Sequence, residues 1–195
     1  DNGPEITIFE SGAILQYLAE KTGRFFSQEW RERLETLQWL QWQVASMSPM
    51  CGQSAHFNMF APESTYARER YLREAKRLFA VLDRRLDGRD FVAGRSYSVA
   101  DMACYAWVED RPRICLGIET LDDYPNLRRW SASVAARPGT IAAYARLEHD
   151  EKDGLKLEEF ARNMFGKDAG AARQLASNAH DTLSRVGLRF AETDH

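Results

Sequence analysis

The feature that most constrains this chain is its periodicity: one β-rich run, Ile6-Thr7-Ile8-Phe9, is followed only by helical spacing. Leu34, Leu37, Leu40 or Gln41, Val44 and Met47 recur every three to four residues in one stretch, and Tyr71, Ala75, Leu78, Leu82 and Leu86 in the next. That is the repeat of a helix with one buried face. The two stretches predict long helices that pair antiparallel. Pro49 has no N–H to donate and predicts a kink in the first, with the helix resuming through His56 and Phe57. Asp87-Gly88 ends the second. Near the start, Ile14, Leu15 and Leu18 share one helical face, and Gly23 follows in the position of a C-terminal cap.

Further helix signals continue to the end of the chain. Ser98-Val99-Ala100-Asp101 is a variant capping box with Tyr97 and Met102 at staple positions, which opens a helix through Ala106 or Trp107. Pro125 suits a first helical position; Leu127, Trp130 and Val134 carry that helix to the breaker Arg137-Pro138-Gly139. A shorter helix to about Leu147 follows. The charged run His149-Asp150-Glu151-Lys152-Asp153-Gly154 reads as a linker. Two more helical repeats come after it: Leu157, Phe160, Ala161 and Met164, then Leu175, Ala179, Leu183 and Val186. The run at residues 6–9 reads as the last strand of a sheet, yet nothing else in the chain offers it a partner, and a lone strand is not stable. Three readings stay open: a preceding segment, pairing with another polypeptide, or a remodelled start.

Charge and composition exclude several classes. A formal net charge of -3 and a pI near 5.9 supply no basic field, so neither nucleic acid nor an anionic membrane is an expected partner. No apolar stretch nears the roughly 20 residues of a membrane span. Cys51, Cys104 and Cys115 form no C-x-x-C pair, and the four histidines stand at no ligand spacing. The expectation is a cytoplasmic protein without a metal site.

Two groups of residues resemble a known family. Ile8-Phe9-Glu10-Ser11-Gly12-Ala13-Ile14-Leu15-Gln16-Tyr17-Leu18-Ala19-Glu20-Lys21 resembles the strand-to-helix junction that closes the thioredoxin-like domain of glutathione transferases. Ser48-Pro49-Met50-Cys51-Gly52-Gln53-Ser54-Ala55-His56-Phe57, with Ala61-Pro62-Glu63 and Tyr66-Ala67-x-x-Arg70-Tyr71, resembles the bacterial nu class and its fungal nitrogen-regulator-like relatives. Leu82-Asp83, Gly88-Arg89-Asp90-Phe91-Val92-Ala93-Gly94, Tyr97-Ser98-Val99-Ala100-Asp101 and Tyr124-Pro125-Asn126-Leu127 follow in the family's order. The fold class so implied is mainly α: an all-helical glutathione-transferase C-terminal domain preceded by the last strand and helix of a thioredoxin-like domain. The division would be residues 1–26 for that remnant, 27–148 for the helical domain, and 149–195 for a charged linker and helical extension.

The resemblance also implies a homodimer, with the helix from about Leu34 to Met47 and its partner at the interface. Glutathione would be the substrate, together with a small electrophile or disulfide, for conjugation or disulfide reduction. The family's thiol-activating residue precedes the first residue of this chain, so no catalytic residue is carried over and the chain alone is expected to be inactive. A non-catalytic dimerisation or interaction domain is the alternative.

Glu10 and Ser11 resemble the pair that binds the γ-glutamyl end of glutathione, and their chemistry suits that zwitterion. Ser11 stands where free amides and the positive end of a helix favour a carboxylate, and Glu10 can answer the ammonium. Helix capping alone would also explain Ser11; the resemblance favours the ligand. Gln53, His56 and Phe57 are substrate-pocket candidates, with core packing the alternative for the last two. Ser98 and Asp101 are a hydroxyl beside a carboxylate, but no histidine accompanies them, so they read as a helix cap. Cys51 reads as a buried apolar residue rather than a redox thiol, and Trp39, Trp42, Trp107 and Trp130 as core.

Overall fold

The computed structural model of the chain describes residues 5–150 and 169–187, and among them all regular secondary structure is helical. The helices are α1 Ser11–Thr22, α2 Trp30–Trp42, α3 Ser48–Met59, α4 Thr65–Arg85, α5 Val99–Val108, α6 Asp110–Cys115, α7 Pro125–Ala135, α8 Pro138–Asp150 and α9 Ala169–Arg185. Residues 6–9 form no strand, which corrects the expectation drawn from their β-rich composition. Ile6 is 63% exposed and Phe9 77%. The reason is the missing ladder: no described segment offers these amides and carbonyls a partner, and side-chain preference alone does not hold a strand.

Local signals set most of the helix ends. Gly23 takes the left-handed conformation at φ 65°, and its N–H and that of Arg24 close α1 by bonding to Glu20 and Ala19 carbonyls at 3.3 and 3.1 Å. At the start of α2 the Glu29 carboxylate accepts the Glu32 N–H at 2.9 Å, the side-chain cap that an exposed helix start needs. The interruption demanded by Pro49 takes a particular form. Between α2 and α3 the helix widens into a π-helical turn over Gln43–Met47, in which the Ser48 N–H reaches back to the Gln43 carbonyl. Proline cannot donate to the carbonyl four residues earlier and its ring crowds that turn, so an extra residue in the turn upstream relieves both. The Ser48 hydroxyl accepts from Gln43 Nε2 at 2.9 Å and from Trp107 Nε1 at 2.7 Å, which ties the widened turn to α5.

α4 lies along α3 and buries Ala75, Leu78, Phe79 and Leu82. Ala75, Phe79 and Leu82 close a core with Met47 and Cys51, with Val92, Ala100, Cys104 and Val108 around α5, and with Leu127, Trp130 and Val134 of α7. α6 is an element that the periodicity did not reveal. It is too short to show a repeat, and Pro112 reads as a breaker, but the Glu109 carboxylate caps the Arg111 N–H at 3.1 Å. Arg113, only 6% exposed, bonds the Ile118 carbonyl at 2.9 Å and Asp110 at 2.5 Å. α8 runs to Asp150, past the expected end near Leu147. The linker residues after Asp150 and the repeat Leu157, Phe160, Ala161 and Met164 lie outside the described residues. Ala179 and Leu183 of α9, with Val186 just after it, pack on Met59, Phe60 and Cys115, and Arg185 pairs with Glu119.

Asp101 is the polar centre of this core. The residue is fully buried, and its carboxylate accepts the Val92 N–H at 2.8 Å, the Ser98 N–H at 2.9 Å, the Ser98 hydroxyl at 3.0 Å and Trp130 Nε1 at 2.9 Å. Burial pushes the carboxyl up from its ordinary value, while the bonds from Val92, Trp130 and Ser98 pull it back. One side chain therefore serves as the cap of α5, the anchor of the preceding loop and the link to α7. Asp101→Asn sets an NH2 against a ring of donors and is expected to cost about 3 kcal/mol. Trp130→Phe removes one donor and about 1 kcal/mol, apart from any packing loss. Urea denaturation of both variants checks this, and an Asp101→Asn cost no larger than the Trp130→Phe cost would contradict the hub.

Candidate functional site

The first residue before α1 is backbone-strained. Glu10 sits at φ 67° and ψ 119°, a region that a residue with a long side chain rarely occupies. Its carbonyl accepts the Ile14 N–H at 2.9 Å, but its carboxylate caps no amide of the helix. Ser11 is exposed and begins the helix. The first-turn amides have no partner within the helix, and no acidic side chain stands in the first turn to offset the positive end. Gly12 is buried directly behind them, and a Cβ on it would meet Val44 Cγ2 at 2.9 Å. Only a residue without a side chain lets α1 start against the π-helical turn, because β-branched Val44 has little freedom to move aside.

Gln53, His56 and Phe57 all lie on α3. Phe57 stacks on Tyr71 of α4 with centroids 5.4 Å apart and planes within 4°. His56 is half-buried, edge-on to Phe57 at 4.9 Å and 6.2 Å from Phe60. Gln53 is exposed. The structure thus groups Glu10 with Ser11 on one helix start and His56 with Phe57 on another helix, where Phe57 is committed to the α3–α4 contact. Among the described residues no cluster of His, Cys, Asp or Glu is arranged to hold a metal ion. No described helix is long and apolar enough to cross a membrane.

The three cysteines are all free and buried. Burial pushes the Cys51 thiol up to about 12 and the Cys115 thiol to about 11, and raises Cys104 well above its ordinary value. None is a thiolate at neutral pH, so none is a nucleophile in the folded chain.

A second concavity lies at the other end of α1, between the α1–α2 loop and the first turns of α5 and α8. Phe25 on its wall has φ 65°. A positive φ at a phenylalanine leaves no mark in sequence, and its companions Tyr97 and Arg137 stand forty residues apart, so no motif announces this feature.

Comparison with known proteins places these elements. The model of the glutathione S-transferase C-terminal domain matches residues 46–138, from the π-helical turn to the start of α8. The stretch from α3 to α7 is that domain. The chain belongs to the glutathione transferase family: the disulfide-bond oxidoreductase YfcG of Escherichia coli is 49% identical to it over 151 residues, 76% of this chain and 68% of YfcG. Among solved structures, a glutathione transferase from Burkholderia graminis with two glutathione molecules per subunit superposes with a TM-score of 0.65. It is 39% identical, over 72% of this chain and 62% of that one. A glutathione transferase from Pseudomonas putida with one glutathione disulfide per subunit gives a TM-score of 0.63 at 42% identity, over 69% of this chain and 60% of that one. The chain thus spans about two thirds or less of the length of these relatives.

The buried thiols generate a test with a definite sign. In the native protein at pH 7 all three cysteines are expected to resist a thiol reagent for far longer than in denaturant, where all three react at once. Because their folded pKa values lie above the roughly 8.5 of an unfolded thiol, the unfolded chain binds fewer protons above that pH. Stability should therefore fall as pH rises from about 8.5 toward 11 to 12. Rapid native labelling of any one of them would show a more open core than the structure has.

Proposed function

We propose that the protein is a nu-class glutathione transferase, akin to the fungal nitrogen-regulator-like enzymes, that reduces small disulfides with glutathione, and that Glu10 and Ser11 hold the γ-glutamyl end of that thiol. One observation carries the reading: a strained Glu10 delivers an uncommitted carboxylate beside the uncompensated N-terminus of α1. Free amides and the Ser11 hydroxyl suit the α-carboxylate of the ligand, and the Glu10 carboxylate suits its ammonium. Relatives crystallised with glutathione and with its disulfide support the ligand. The name of YfcG supports the reaction.

The sulfur that reacts belongs to the substrate, because the protein's own thiols are buried and protonated. A glutathione thiolate attacks one sulfur of a disulfide and expels the other as a thiolate. A second glutathione then resolves the mixed disulfide, so two thiols are oxidised to glutathione disulfide for each disulfide reduced. The same thiolate attacking an electrophilic carbon gives conjugation. None of the described residues is assigned the lowering of the glutathione pKa, so the 195-residue chain by itself is proposed to bind glutathione without turning it over. The buried reduced cysteines fit a cytoplasmic setting. The second reading is a non-catalytic helical interaction domain.

Calorimetry separates the readings. Glutathione is expected to bind at one site per chain, with Ser11→Ala and Glu10→Gln each weakening it about tenfold, the loss typical of a hydrogen bond to a charged group. An unbound ligand, or variants that bind as well as the parent, would favour the interaction domain.

A homodimer is also proposed, formed through α2 and α4. Trp30, Leu34 and Tyr66 support it, since these large side chains are 62%, 48% and 74% exposed. Sedimentation should give about twice the 22.3 kDa of one chain; a single-chain mass at micromolar concentration would count against the dimer.

A further inference from the structure

The cleft at the far end of α1 has a chemistry of its own. Its volume is about 570 Å³, within the roughly 300–1,000 Å³ of small-molecule sites. Since α1 is 12 residues long, this cleft lies about 18 Å along the helix from Ser11 at 1.5 Å per residue. Phe25, Tyr97, Tyr105 and Tyr144 supply its aromatic walls, and Arg24 and Arg137 its charge. Among the described residues no acidic side chain lines it. The Arg137 guanidinium lies 3.7 Å from the centre of the Tyr97 ring, and the Arg24 guanidinium 4.8 Å from that of Phe25. Neither arginine is paired with a carboxylate among the described residues.

These contacts matter for recognition. A guanidinium seated over a ring face is already ordered, so little side-chain entropy is lost when a ligand arrives, and its edge donors stay available for a planar anion. Phe25 meets Tyr97 edge-on at 5.9 Å and 88°, and Tyr105 meets Tyr144 at 5.9 Å and 82°. The walls are therefore rigid T-shaped pairs that favour a flat apolar body. Burial pushes the Tyr105 and Tyr144 phenols up to about 12, so both stay neutral beside an anion.

We propose that this cleft binds a small aromatic carboxylate, with its ring between the tyrosines and Phe25 and its carboxylate on Arg24 and Arg137. The site is separate from the Glu10 and Ser11 corner and does not depend on glutathione occupying that corner.

The probe is 2-naphthoate, titrated by calorimetry into the full protein with and without saturating glutathione, with 2-naphthalenemethanol as the neutral counterpart. One naphthoate per chain is expected, with the alcohol at least tenfold weaker and no change on adding glutathione. Arg24→Gln, at an exposed loop position, should weaken naphthoate at least fivefold and leave the alcohol unchanged. Arg137→Gln should do the same, and because Arg137 also packs on Tyr97, Arg24→Glu supplies a charge reversal that leaves that stack alone. The proposal is overturned if the alcohol binds as tightly as the acid, if neither Arg24 variant changes naphthoate affinity, or if naphthoate does not bind. Displacement by glutathione would overturn it too, by placing the probe at the other site.

Discussion

A buried carboxylate organises this fold. Asp101 accepts four hydrogen bonds in the first turn of α5, and the donors come from three parts of the chain: the loop at Val92, the cap at Ser98 and α7 through Trp130. An ion without its donors at that depth would cost several kcal/mol, so the four donors and the carboxylate form together or not at all. The consequences spread outward. With the cap in place, the Val99 N–H bonds the Phe25 carbonyl at 3.0 Å, which holds the α1–α2 loop on the start of α5. A neighbouring cluster repeats the logic at the surface of the core: Glu35 on α2 accepts the Gly94 N–H at 2.7 Å and pairs with Arg85, whose Nε bonds the Val92 carbonyl at 2.8 Å. Burial alone would raise the Glu35 carboxyl, but the Gly94 amide and Arg85 hold it below its ordinary value.

The second constraint is Pro49. It forces a widened turn where a regular helix would have run, and that turn carries Val44 to the exact depth at which only glycine fits on α1. A proline in one helix thereby sets the residue choice in another. It also sets the seat of Glu10 and Ser11, since a first turn lifted off Val44 would carry the free amides with it. The polar lock from Trp107 through Ser48 to Gln43 holds the turn from the α5 side, so the helix start and the core hub meet through α5.

Much of this was legible in the sequence where the cause is local. The capping box at Ser98 and Asp101, the left-handed Gly23 and the proline start of α7 all depend on a few adjacent residues, and the structure has each of them. What escaped depends on partners distant in the chain. The run at residues 6–9 has strand-forming side chains and no ladder. α6 is held by Glu109 and a buried Arg113 rather than by periodicity. The sequence marked Pro49 as an interruption, but whether a helix breaks or widens there depends on Ser48, Gln43 and a tryptophan on another helix. The positions of Glu10 and Ser11 were readable as a pattern, while the positive φ of Glu10 was not, because glutamate carries no signal for it as glycine does.

Thiol chemistry in such a protein poses a problem that the core answers. A reactive cysteine near a disulfide substrate would enter the exchange and trap the protein as a mixed disulfide, since any thiolate in reach competes with the intended one. Here Cys51 and Cys104 lie in the main core and Cys115 beneath α9, all of them with pKa values pushed up by burial. The same packing that stabilises the helices would keep these sulfurs out of the proposed reaction. Among the described residues, the proposed corner would hold the γ-glutamyl end, and no cysteine is placed to compete with the glutathione sulfur.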